Sequence, residues 1–262
     1  MHSIIYFILS LFATTVGSLT GMGGGVIIKP LMDVLGDYDV QTIGVISSIT
    51  VFSMSAVSVV KQMKSKTKIP FKTAIPLAAG SVLGGFAGQY LLDFAVNALN
   101  VVSVATVIQN IVLAVLILCV ILYMKNKNRI KGRQLNGMTV SLFAGIFLGC
   151  ISSFLGIGGG PVNVALIIYL FSFDTKIATV CSLITILFAQ ISKLGTTAFT
   201  VGFSSFDLSV VPVMIVGAVA GGFIGALLNK KCSEKAVERA FSAVQVFVLA
   251  VTLFNVVNNL IK

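Results

Sequence analysis

A cluster of glycines, Gly21-Met22-Gly23-Gly24-Gly25, interrupts a long apolar stretch, and its pattern returns 135 residues later as Gly156-Ile157-Gly158-Gly159-Gly160. Apolar segments flank both copies: 4–19 and 26–35 around the first, 140–155 and 161–173 around the second. Glycine has no Cβ, so it tolerates positive φ and close backbone approach, and a run of glycines weakens any helix containing it. Inside a bilayer, broken backbone survives only where it is buried in protein or lines a cavity. Matching breaks in two halves of a chain therefore point to a site between the halves.

The setting for these breaks is a membrane. The chain is 57% hydrophobic and 10% charged, with a mean hydropathy of +1.06, whereas soluble domains carry about 25% charged residues. Its apolar segments reach the length of about 20 residues that a spanning helix needs. The net charge of +10 would suggest nucleic acid in a soluble protein. Here Lys and Arg concentrate in short connections at 61–72, 125–133 and 230–239, where they set orientation instead. The sole histidine is His2, and Cys119, Cys150, Cys181 and Cys232 are scattered without metal-ligand spacing. The expectation is no metal, no cofactor, no nucleic acid and no enzymatic centre. The N-terminus imitates a signal peptide but lacks a basic n-region, and its sequel is echoed at 140–160, so it reads as part of the fold.

The duplication extends past the glycines. At the same offset Asp39 meets Asp174, Ser47 meets Ser182 and Thr50 meets Thr185. With two residues inserted, Gly80-x-x-x-Gly84-Gly85-x-x-Gly88 matches Gly217-x-x-x-Gly221-Gly222-x-x-Gly225. Such small-residue ridges let membrane helices approach closely, within one chain or across a homodimer. The predicted fold is an all-α polytopic membrane protein of two homologous repeats, 1–125 and 136–262, joined by a basic cytoplasmic linker at 126–135. Each repeat carries one Gly-broken segment, re-entrant or two paired short helices, and three spanning helices. Counted as a plain crossing, the broken segment would put 61–72 and 230–239 on opposite sides, against the positive-inside rule. If each broken segment returns to its own side, every basic loop is cytoplasmic and the repeats are inverted. Ten residues of helix reach about 15 Å, which sets the glycines near the mid-plane of a plasma or inner membrane.

A glycine break that opens a helix exposes backbone N–H groups at the positive end of the helix dipole, an arrangement that binds anions. The candidate substrate site is thus Gly21, Gly23, Gly24 and Gly25 with Gly156, Gly158, Gly159 and Gly160. The bland alternative is that these glycines only permit tight helix crossing. A dinucleotide fingerprint would need a βαβ unit, which a hydrophobic hairpin cannot supply. Lys29 and Lys193 lie within apolar segments, where ionisable groups are costly and usually functional. Lys29 reads equally as an attractor for the anion or as a residue reaching for an interface; Lys193, deeper by count, favours the pocket. Asn163 is placed to donate an amide. Ser47 with Thr50, and Ser182 with Thr185, share helix faces and either line the path or bond their own helix carbonyls. Asp33, Asp39, Asp93, Asp174 and Asp207 read as loop or end residues, leaving the driving force open between proton, sodium and membrane potential.

The doubled Gly-x-Gly-Gly-Gly near the start of each half, with Pro30 a few residues after the first, resembles the sulfite exporter TauE/SafE family of membrane permeases. The second copy departs from the commoner form, with Pro161 directly after the glycines and Ala165 where the first copy has Pro30. The resemblance implies secondary transport, often export, of a small sulfur-containing anion such as sulfite, thiosulfate or an organosulfonate. An anion channel with the same pocket is the alternative, and a membrane-embedded transferase a more remote one.

Overall fold

The structure, a computed structural model, describes residues 2–64, 69–99, 102–127, 129–157 and 159–261. Among the described residues it is all-α, with ten α-helices and one short 3-10 turn. In chain order these are α1 (His2–Thr20), α2 (Gly25–Leu35), α3 (Val40–Met63), α4 (Phe71–Leu99), α5 (Val102–Asn126), α6 (Met138–Leu155), α7 (Pro161–Phe171), α8 (Thr175–Thr200), α9 (Val211–Lys231) and α10 (Glu234–Ile261). Eight are long and apolar enough to cross a membrane; α2 and α7, at 11 residues each, are not. Their outer faces carry large apolar side chains such as Ile8, Phe12, Phe143 and Phe147, each more than half exposed, as a lipid-facing surface requires.

Helix ends follow local chemistry. Asp39 caps α3, accepting from Gln41 N and Thr42 N at 2.9 and 3.0 Å. Its repeat counterpart Asp174 makes no side-chain cap. The first N–H of α8, on Thr175, instead donates to Glu234 Oε1 at 2.7 Å. Gly36 and Gly156 end α2 and α6 in the left-handed conformation, at φ 71° and 65°. Pro161 opens α7, where its fixed φ suits a first helical turn and its missing N–H is not needed. The basic stretch 230–239, read as a loop, is mostly helical, because α9 runs to Lys231 and α10 starts at Glu234. Ion pairing compensates those charges: Lys127 pairs with Glu238 across the α5 and α10 ends.

Each glycine break is a hairpin. A methyl on Gly17 would lie 2.5 Å from the Gly23 carbonyl carbon, and one on Gly24 2.9 Å from Thr14 Cγ2. Further back, Tyr6 donates to Asp37 Oδ2 at 2.6 Å and its ring meets Tyr38 edge-on at 6.0 Å. The chain that leaves the tip therefore returns along α1. In the second copy, Arg133 N and Leu135 N donate to Tyr169 O and Leu170 O at 2.9 and 2.8 Å, which sets the end of α7 beside the segment entering α6. The returning legs have the expected length, about 16 Å for 11 residues. The entering legs are longer than that reading: α1 and α6, with 19 and 18 residues, are each long enough to cross alone.

The ridges of small residues pack hairpin legs onto neighbours from the other half of the chain. Gly80, Gly84 and Gly88 of α4 face the Leu142, Ile146 and Cys150 carbonyls of α6, and Gly145 and Gly149 reciprocate against Leu77 and Ser81. Gly217, Gly221 and Gly225 of α9 do the same along α1, against Ser10, Thr14 and Thr15. In both pairs the residue numbers rise together, so the helices run parallel. A methyl on Gly84 would overlap backbone, not a side chain that can turn away. We expect Gly84→Ala to destabilise the protein by about 1–3 kcal/mol. Gly195→Ala, in the open middle of α8, should raise stability by about 1 kcal/mol through helix propensity. Thermal unfolding of the detergent-solubilised variants reads both; equal midpoints would remove the ridge from the packing.

Candidate functional site

The two hairpin tips meet. A methyl on Gly25, the first residue of α2, would overlap the Ile157 carbonyl oxygen and lie 2.9 Å from Ser47 Oγ. The first tip is held from α8: Ser182 Oγ donates to Gly21 O at 2.6 Å, and Thr179 Oγ1 to Thr20 O at 3.2 Å. Gly21 and Gly23 both sit at φ 77°, a conformation that a side chain would strain. In the second tip Gly159 has φ 106°, and a methyl there would run into the Ile186 side chain. Gly160 O accepts from Asn163 N at 3.1 Å. Gly158 lies outside the described residues.

Beside Gly156 is a cavity of about 90 Å³, lined chiefly by Lys29, Lys193, Gln41, Gln89, Gln109, Thr197 and Thr200. That is room for a few waters or one small ion. Both lysines are only 3% exposed. They converge on the tip: a β-carbon on Gly156 would be 3.4 Å from Lys29 Nζ and 3.5 Å from Lys193 Nζ. Lys29 Nζ donates to Gln109 Oε1 at 2.6 Å and to Leu155 O at 2.7 Å. Leu155 ends α6, so the ammonium sits on carbonyls that a helix C-terminus leaves open. Gln109 is oriented in turn by donating to Phe154 O at 2.6 Å. Lys193 Nζ donates to Gly44 O at 3.2 Å. An ammonium has three donors, and Lys29 commits two to these partners. Among the described residues that line the cavity, none is acidic. The cavity thus brings two buried ammonium groups together, and Lys29 also feels the charge of Asp33 one turn along α2.

The other sequence candidates divide. Thr50 and Thr185 donate to their own helices, at Ile46 O and Cys181 O, which is the bland reading of each. Ser182 holds the opposite tip. Ser47 Oγ and Asn163 Nδ2 are buried without a hydrogen-bond partner among the described residues, at the meeting of the tips and not in the cavity wall. Asp33, read as a connecting residue, lies inside α2 one turn beyond Lys29, because the helix continues to Leu35. Sequence reasoning missed the glutamines. Gln109 carried a usable signal: Gln109-x-x-Val112-Leu113-Ala114-Val115 recurs as Gln245-x-x-Val248-Leu249-Ala250-Val251, a polar residue held at one place in both repeats.

Comparison with known proteins agrees with this architecture. The family model for "Sulfite exporter TauE/SafE" matches residues 6–253. "Probable membrane transporter protein YunE" of Bacillus subtilis (strain 168) is 25% identical over 266 residues, covering 90% of this chain and 92% of its own. No solved structure matches the chain. The family match runs from the first hairpin through both glycine breaks and into the last helix, and the chain belongs to the sulfite exporter TauE/SafE family of membrane transporters.

Proposed function

We propose that the protein is a secondary transporter of a small sulfur-containing anion, such as sulfite, thiosulfate or an organosulfonate, that binds between Lys29 and Lys193 and crosses by alternating access. The observation that carries this reading is the convergence of two buried ammonium groups on the tip glycine Gly156, in a cavity whose apolar walls also carry the amides of Gln41, Gln89 and Gln109 and the hydroxyls of Thr197 and Thr200. Charge-assisted donors of this kind suit oxyanions. The family's name supplies the sulfur.

The helix order supports an inverted arrangement. With both hairpins returning to the face they entered, α3, α4 and α5 make three crossings, so the second hairpin enters from the opposite face. The face joining α3 to α4, α5 to α6 and α9 to α10 then carries Lys61, Lys64, Lys125, Lys127, Arg129, Lys131, Arg133, Lys230, Lys231 and Lys235. The connections at 36–39 and 201–210 on the other face hold Asp37, Asp39 and Asp207 and no lysine or arginine. The positive-inside rule makes the basic face cytoplasmic. The cavity is also lined by Val201 and Phe206, from the acidic-face connection, so it faces outward in this conformation.

The test is thermal stability of purified protein against sulfite, thiosulfate, sulfate, an organosulfonate, phosphate, acetate and a set of cations. A ligand of the folded state at 100 times its Kd adds about 2.7 kcal/mol of stability. Stabilisation by sulfur anions alone is the expected result; none with any anion would reject the reading. Counterflow in proteoliposomes then separates carrier from channel, since only a carrier shows exchange accelerated by anion on the far side.

A further inference from the structure

The same positions that form the outer cavity in one repeat form a closed, self-bonded cluster in the other. At the 135-residue offset Lys193 corresponds to Ser58, Thr197 to Gln62, Phe154 to Leu19 and Gly156 to Gly21; at the 137-residue offset of the glycine ridges Leu92 corresponds to Asn229. In one copy Leu92, Gly156, Lys193 and Thr197 line the open cavity. In the other copy they are shut. Ser18 Oγ and Ser58 Oγ are 2.8 Å apart, and both reach Gly222 O, at 3.0 and 3.2 Å. Gln62 Nε2 donates to Asn229 Oδ1 at 3.3 Å, and Asn229 Nδ2 donates to Leu19 O at 2.7 Å. The backbones tell the same story: a β-carbon on Gly156 would stay 3.9 Å from Gly44 Cα, whereas one on Gly21 would be 2.7 Å from Thr179 Cα, the corresponding atom.

Ser18, Ser58, Gln62 and Asn229 are all buried, with no carboxylate and no cation among them. They lie toward the C-terminal ends of α1, α3 and α9, and the α3 and α9 ends carry Lys61, Lys64, Lys230 and Lys231. Two hydroxyls and two amides are enough donors to hold an oxyanion, and here they are satisfied by one another and by carbonyls. A polar cluster that is fully satisfied when closed and rich in donors when parted is a workable second stop for an anion.

We propose that Ser18, Ser58, Gln62 and Asn229 form a second, inner binding station for the same small oxyanion, closed in this conformation and opened when the Lys29–Lys193 cavity closes. The proposal rests on the anion-transport reading. The stations differ in charge. The outer one holds the anion with two ammonium groups, and the inner one offers only dipoles, so an anion resides longer at the outer one.

The test locks the inner station. In a background with Cys119, Cys150, Cys181 and Cys232 replaced by alanine, Ser18→Cys with Ser58→Cys sets two thiols where the hydroxyls now touch. The protein is oxidised in proteoliposomes, the oxidant is removed, and counterflow of radiolabelled thiosulfate is followed. The expected result is loss of counterflow on bridging, recovery with reductant, and undiminished stabilisation of the bridged protein by thiosulfate at the open outer cavity. Counterflow at the reduced protein's rate in the bridged form would overturn the proposal. No binding and no counterflow in the reduced protein would instead overturn the transport reading itself, and the station with it. Gln62→Ala with Asn229→Ala gives a second measure free of cross-linking. The KM for thiosulfate entering from the basic face should rise roughly tenfold, the effect of about 1.4 kcal/mol of lost hydrogen bonding, while equilibrium binding at the outer cavity holds. An unchanged KM would remove these donors from the path.

Discussion

Replacing Lys29 and Lys193 together by methionine is expected to abolish the stabilisation of the folded protein by sulfur anions and to end their transport. Among the described residues lining the cavity, the two ammonium groups are the full positive charges. Hydrogen bonds to charged groups contribute about 1.5–3 kcal/mol each, so either single change should weaken binding roughly 10- to 150-fold. The single variants should differ in the absence of anion. Lys29→Met leaves Gln109 Oε1 and Leu155 O without their donor in a buried place, which costs about 1–3 kcal/mol of stability. Lys193→Met removes the bond to Gly44 O, a longer contact at 3.2 Å, and should cost less. Thermal unfolding with and without thiosulfate measures both effects in one series. A folded double variant that thiosulfate still stabilises as strongly as the parent would move the anion elsewhere. If Lys29 served only to cap α6, its loss would lower the unfolding midpoint and leave the ligand-induced shift intact.

Much of the architecture was written in length, hydropathy and glycine spacing. A helix long enough to span announces itself by composition, and a doubled break inside such segments announces a hairpin. The ridge glycines do sit in close helix contacts, as the small-residue pattern implied. What was hidden was which helix lies beside which. Periodicity assigns Gln109 to a face of α5, but only the packed structure brings it to Lys29, 80 residues away. The same gap explains the serines and threonines. Ser182 and Thr185 look alike on paper, yet one reaches across to the Gly21 carbonyl and the other bonds one turn back on its own helix. Asp33 was misplaced for another reason. A charge after an apolar run reads as the run's end, while Lys29, four residues earlier on the same helix, offers partial compensation. The start of α10 was misread likewise: its charges are answered across the connection, by Lys127 for Glu238 and by Thr175 N for Glu234.

Gly25→Ala should rank among the most destabilising methyl additions to the chain, and its sign separates two accounts of the glycine cluster. Gly25 begins α2 and is not among the positive-φ glycines. On helix propensity alone, alanine there would stabilise by about 1 kcal/mol. The structure argues the reverse. The added carbon would meet the Ile157 carbonyl of the opposite tip, with Ser47 Oγ 2.9 Å away on a third side. Backbone cannot rotate out of the way as a side chain can, so overpacking of about 1–3 kcal/mol or more outweighs the propensity gain. Gly36→Ala is the companion. It lies in open space at φ 71°, so it should cost only the left-handed strain of about 1–2 kcal/mol. Unfolding midpoints of the two variants, read against Gly195→Ala, give the order directly. A Gly25→Ala protein as stable as the parent would mean that the tips do not touch, and would take away the reason for placing one site between the two halves. If the variant is destabilised but folded, its tips are forced apart beside the cavity. It should then lose counterflow while still binding thiosulfate, because in the proposed mechanism Lys29 and Lys193 hold the anion while the contact between tips links one half's movement to the other's.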